Sequence, residues 1–147
     1  MSNTANDALE KAIEEEGRRL IREALDLWKR VKDSKQGMTL MEYQQAAQRT
    51  SNTHLSDSKI ENGLFGLAGE VGELCDLYKK YRFQGHGFDR GHMISELGDV
   101  LWYVVELACG LDVSLDVVAQ TNIIKLKARY PEGFSPDRSL NRAEGDD

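Results

Sequence analysis

Glu70 and Glu73 lie three residues apart within Gly66-Leu67-Ala68-Gly69-Glu70-Val71-Gly72-Glu73-Leu74, and Glu96 and Asp99 repeat that spacing within Ser95-Glu96-Leu97-Gly98-Asp99-Val100-Leu101-Trp102-Tyr103. On a helix, a step of three advances about 4.5 Å along the axis and returns to nearly the same face. Two such helices packed with these faces inward would bring the four carboxylates together. That many negative charges cannot be buried without a cation. Carboxylate oxygens are hard ligands that suit magnesium, which keeps positions open for water and substrate phosphates. Phosphate chemistry is therefore the leading expectation. A lone acidic pair is also what any solvated helix face carries, but the apolar, glycine-rich surroundings of both pairs favour a site.

Other residues extend the same stripes. Leu77 and Lys80 continue the line of Glu70 and Glu73, while His92, Tyr103 and Glu106 share the line of Glu96 and Asp99. Further along, Asn122, Lys125 and Arg129 fall on one face by steps of three and four. Carboxylates would hold the metal, and Lys125 and Arg129 would neutralise the remaining phosphate charge. The histidines fall in or next to loops and read as surface or loop-packing residues. No E-x-x-H pair is present, which speaks against a di-iron carboxylate centre.

These stripes need helices to carry them, and the chain is well suited to helices. Its 147 residues contain two prolines, Pro131 and Pro136, both near the C-terminus. Apolar content of 40% and charged content of 30% fit an ordinary soluble globular protein of one domain. A formal charge of −6 argues against a nucleic acid polymer or an anionic membrane surface as partner. It does not argue against a nucleotide, whose charge a metal can carry into an acidic site. Cys75 and Cys109 form no metal-ligand spacing and sit in apolar helical stretches, which predicts buried free thiols. No apolar run suggests a membrane span and the N-terminus resembles no secretory signal, so the cytoplasm is expected.

Apolar periodicity predicts an all-α chain folded as an antiparallel helical bundle with an extra N-terminal helix. Asp7 with Glu10 reads as a capping box for the N-terminal helix, whose stripe Ile13, Gly17, Leu20, Ala24, Leu27 and Val31 is nearly heptad. Thr39 caps a helix to about 49, and polar 50–57 reads as a loop. A long helix over 58–81 carries Leu64, Leu67, Val71, Leu74 and Leu77 as its core side. Gly66, Gly69 and Gly72 within it cost about 1 kcal/mol each against alanine, so a neighbouring helix or a ligand is expected to come close there. After a glycine-rich loop over 83–91, a helix over 91–108 has Met93, Leu97, Val100, Val104 and Leu107 as its core and Gly110 as its terminator. Asp112 or Ser114 caps a last helix to about 129. The domain boundaries expected are 1–37 for the N-terminal extension, 38–134 for the domain and 135–147 for the tail.

The motifs at 66–74 and 96–103, together with Asn122-Ile123-Ile124-Lys125-Leu126-Lys127-Ala128-Arg129-Tyr130-Pro131-Glu132-Gly133-Phe134, resemble the MazG-like all-α nucleoside triphosphate pyrophosphohydrolases. These are relatives of dimeric dUTPases and phosphoribosyl-ATP pyrophosphatase, and the resemblance covers about 38–142. It implies magnesium-dependent hydrolysis of a nucleoside triphosphate to the monophosphate and pyrophosphate, with manganese as a substitute ion. Glu70, Glu73, Glu96 and Asp99 would be metal ligands and catalytic groups, with Glu73 favoured as base. Tyr103 and Asn122 would touch sugar or phosphate, and Lys80, Lys125 and Arg129 would offset polyphosphate charge. A homo-oligomer, dimer or tetramer, is expected because relatives complete their bundle or site with a second subunit. Arg138 and Arg142 belong to a C-terminal run that reads as a solvated tail, or as a flap over a bound triphosphate. Two other readings stay open: a non-catalytic interaction module with an acidic, metal-stabilised groove, and a pyrophosphatase for one metabolite such as phosphoribosyl-ATP.

Overall fold

Thr39 opens the first packed helix through a reciprocal capping box. Its hydroxyl oxygen accepts from the Glu42 N–H at 3.2 Å, while the Glu42 carboxylate accepts from the Thr39 N–H at 2.8 Å. The computed structural model describes residues 11, 15–19, 22–23, 26–27, 29, 37–52 and 58–141. Within them α1 spans Leu40–Gln48, α2 Lys59–Phe83, α3 Arg90–Gly110, α4 Leu115–Arg129 and α5 Pro136–Leu140. Asp89 caps α3 by accepting from the His92 N–H at 2.9 Å, and Ser114 caps α4 by accepting from the Val117 N–H at 3.3 Å. Asp112, the other candidate cap, instead takes the left-handed turn conformation (φ 55°) that aspartate tolerates better than most residues. No strand occurs among the described residues, and the chain is all-α as expected.

The described residues between 11 and 29 are helical, and Arg19 pairs there with Glu16 and Glu23, so this is a solvated charged face. The Asp7 cap and most of the heptad-like stripe lie outside the described residues. At the other end, the expected solvated tail begins as a short helix. Ser135 caps α5, Pro136 occupies its first turn, and Arg138 Nη1 lies 3.5 Å from the Arg129 carbonyl oxygen.

The antiparallel pair α2 and α3 carries most of the packing between elements. Three glycines set its closeness. A methyl group at Gly63 would stand 2.8 Å from Leu107 Cβ, one at Gly110 would stand 2.9 Å from Ile60, and one at Gly66 would fall within the Tyr103 ring. Gly110 is therefore a contact residue inside α3, and Leu111 caps the helix in the place expected of the glycine. A methyl group at Gly69 or Gly72 would meet nothing within 4 Å, so within the series a neighbouring helix comes close only at Gly66.

A small core of Ala47, Val105, Ala108 and Leu115 forms where α1, α3 and the start of α4 meet, with Tyr43, Trp102, Val104, Cys109 and Val113 packed around it. Gln44 ties this junction. Its Oε1 accepts from the Leu115 N–H at 2.7 Å, and its Nε2 donates to the Val113 carbonyl at 3.3 Å. Glu106 is fully buried here. Its carboxylate accepts from Ser51 Oγ at 3.0 Å, Gln48 Nε2 at 3.1 Å and Asn62 Nδ2 at 3.4 Å, with Lys59 Nζ at 4.0 Å. Lys59 in turn donates to Gln48 Oε1 at 2.7 Å, which closes the network. Satisfied acceptors and a nearby cation are what permit a carboxylate at such depth.

The sides expected to form the core of the long helices are only partly covered. Of those expected residues Leu64, Val71 and Leu97 are exposed, as are Phe65, Tyr78 and Leu101 beside them. The interior face of α2 is made instead by Gly63, Gly66 and neighbours that fit under α3. Cys75 is also exposed and Cys109 half-buried, so the expectation of two buried thiols fails at Cys75. Its segment is apolar, but it lies on the outward side of the pair.

Candidate active site

Gly63 and Gly66 let α3 lie close on α2, and the antiparallel register then sets Glu70 opposite Glu96 and Asp99. Carboxylate oxygens of these three residues lie within 4.8 Å of one another. Burial, and then the charges of Asp99, Glu96 and Glu73, push the Glu70 carboxyl above the ordinary glutamate range, with a hydrogen bond to Glu96 adding to the effect. That is the electrostatic signature of like charges converging. Tyr43 of α1 packs on the core and lies within the field of Asp99: burial, then the Asp99 charge, raises its phenol above the ordinary range. Nothing in the sequence marked Tyr43 as a neighbour of these charges.

The donor set fits a hard divalent cation. Magnesium takes oxygen ligands at about 2.1 Å, so two ligands on opposite sides of the ion stand about 4.2 Å apart. A spread of up to 4.8 Å among the carboxylate oxygens needs only a small contraction to meet that geometry. Glu70, Glu96 and Asp99 are the residues that could hold such an ion.

The remaining expected residues stand at varied removes. Glu73 is exposed and outside the trio, though close enough for its charge to act on Glu70. Lys80 forms an ion pair with Asp76 at 2.7 Å, and that bond, ahead of the Asp76 and Glu73 charges, raises its pKa. Tyr103 lies over Gly66, one turn beyond Asp99, with its ring edge against Trp102 at 4.9 Å between centroids. Asn122 and Lys125 line a different cavity, of about 360 Å³, with Val113, Val117, Val118 and Thr121. Arg129 is half-buried near the end of α4. The structure thus brings Glu70, Glu96 and Asp99 together, keeps Tyr103 beside them, and leaves Asn122 and Lys125 on a separate surface.

His92 is a partly exposed residue beside the loop, as expected, and its Nε2 also lies 2.9 Å from Glu96 Oε1. Its place one turn before Glu96 on a shared stripe was the available signal. Glu106 shares that azimuth as well, but two turns beyond Asp99 the facing element is the end of α1 and not the groove. Roughly 100° further round each long helix lies an apolar cavity of about 600 Å³, lined by Leu74, Tyr78, Phe83, Phe88, Met93 and Leu97 among others. The pair therefore has a carboxylate side and an apolar side that no other helix among the described residues covers.

An all-helical body with three carboxylates converging between antiparallel helices defines a helical protein with a candidate divalent-cation site. The chain belongs to the MazG nucleotide pyrophosphohydrolase domain family, whose model matches residues 59–134. It is similar to the Gene 37 protein of Mycobacterium phage L5, at 41% identity over 81 residues that cover 52% of this chain and 71% of that protein. No solved structure matches it significantly. No helix among the described residues is long and apolar enough to cross a membrane.

Proposed function

We propose that the protein hydrolyses a nucleoside triphosphate to the monophosphate and pyrophosphate, with magnesium, or manganese in its place, held by Glu70, Glu96 and Asp99. The observation that carries this reading is the convergence of those three carboxylates within 4.8 Å, in a chain of this family. Bound magnesium would offset phosphate charge and make a water molecule more acidic. Glu73, outside the trio but within reach of its field, is the group to take the proton from the attacking water. Alternatively it completes the ligand set as a fourth carboxylate. Tyr103, one turn along, would hydrogen-bond the sugar or a phosphate through its hydroxyl. Phosphoryl chemistry asks mainly for such positioning and charge neutralisation.

The cationic part of the site is assigned to Lys125 and Arg129, with Asn122 beside them and Lys80 at the far end of the groove. Because Asn122 and Lys125 line a separate cavity, we assign their phosphate contacts to an oligomer, in which α4 of one copy serves the groove of another. The open apolar side of α2 and α3 supplies the surface for that assembly. The functional domain is taken as 38–134, flanked by the extension at 1–37 and the tail at 135–147, and the protein is assigned to the cytoplasm.

The test is pyrophosphate release with magnesium across common and modified nucleoside triphosphates. Release with a matching monophosphate, abolished in Glu70→Gln and Asp99→Asn variants that keep the helical circular dichroism spectrum, supports the reading. Absence of release from every triphosphate by folded protein with either ion would overturn it.

A further inference from the structure

The Glu96 side chain is 13% exposed, while His92, its partner at 2.9 Å, is 45% exposed. Glu96 is thus enclosed with Glu70 and Asp99 as its neighbours on the cluster side. A carboxylate among like charges is drawn toward rotamers that carry it away from them. A donor on the opposite side counteracts that. His92 is well placed to be the donor, since it stands one turn earlier on α3, where its backbone N–H donates to the Asp89 cap at 2.9 Å and so fixes the main chain from which the imidazole extends.

We propose that His92 is a positioning residue for the metal centre: its Nε2–H donates to Glu96 Oε1 and leaves the other carboxylate oxygen directed at the cation. The proposal rests on the metal-dependent reading above and adds a residue to it. Carboxylate ligands held by an outer hydrogen bond lose metal affinity when that bond is removed, typically ten- to a hundredfold. An ordinary i,i+4 surface pair would behave differently, altering helix stability slightly and leaving metal affinity untouched.

The experiment is manganese binding to the nucleotide-free full chain, followed by the paramagnetic resonance signal of free manganese. Wild type, His92→Leu, His92→Gln and Asp99→Asn are compared, with melting temperatures in chelator. His92→Leu is expected to bind manganese at least about tenfold more weakly. His92→Gln, which keeps an N–H donor one turn before Glu96, is expected to stay close to wild type. The melting temperatures without metal should agree. Equal affinity in wild type and His92→Leu, or equal weakening in both His92 variants, would overturn the role of His92 while leaving the metal centre standing. A wild type without a saturable site, or a site indifferent to Asp99→Asn, would overturn the metal reading itself and the inference with it.

Discussion

The Tyr103 ring lies across Gly66 so closely that a methyl group on that glycine would fall 2.0 Å from ring carbon Cε1. The glycine is thus part of how the tyrosine is held beside Asp99. Gly66→Ala should force the ring or the helix to move and cost about 1–3 kcal/mol, the usual range for overpacking. Gly69→Ala meets nothing within 4 Å and should add up to about 1 kcal/mol through helix propensity. Urea denaturation midpoints of the two variants should therefore shift in opposite directions.

Glu106 should prove a stability residue with no direct part in chemistry. Glu106→Ala leaves Gln48, Ser51, Asn62 and Lys59 without the acceptor they converge on, and losses of about 3–5 kcal/mol accompany removal of one partner from a buried ionic network. Glu106→Gln keeps two hydrogen-bonding atoms and should lose less. Urea unfolding of both variants gives the comparison, and an unchanged midpoint for Glu106→Ala would contradict it.

Metal and pH should act on stability in opposite ways. Glu70 is held above the ordinary glutamate range by burial and then by Asp99, Glu96 and Glu73. In chelator, between that range and the raised native value, the folded chain keeps a proton that the unfolded chain has released. Stability from this group is therefore present at lower pH and lost as pH rises through the native value. Magnesium requires ionised oxygens, so its stabilisation grows with pH. The melting temperature difference between magnesium and chelator should widen from acidic to neutral pH, and Glu70→Gln should narrow it.

The apolar side of the helix pair should be an interface. Leu64, Phe65, Val71, Tyr78, Leu97 and Leu101 are all exposed there or beside it. Tyr78 and Leu97 line the apolar cavity, and an apolar surface of this kind is a candidate interaction site. Sedimentation should find wild type heavier than a monomer, and Leu64→Glu should shift it toward a helical monomer. A wild type that stays monomeric at all concentrations would sink the assembly.

Much of the fold was legible because its signals are local. Thr39 with Glu42, Ser114, and the proline at 131 mark helix ends through bonds that span three or four residues, and the observed ends follow them. The helix faces that carry Glu70, Glu73, Glu96 and Asp99 were legible for the same reason, but that Glu73 stands outside the converging trio was not, because it depends on how the two helices meet. Tyr43 carried no signal, because its approach to Asp99 depends on how α1 lies across the pair. Cys75 and Leu64 looked buried from their apolar neighbours, yet they face the side of the pair that no described element covers.

The sequence by itself determined the helices, their faces and the pairing of acidic residues, because each depends on contacts within about one turn. Only the tertiary structure decided which residues stand opposite one another. Glu96 and Glu106 share a stripe on α3, but one meets Glu70 and His92 between the long helices and the other meets Ser51 and Gln48 in the core. That difference lies in axial register between helices, which the close approach at Gly63, Gly66 and Gly110 sets and no local periodicity encodes.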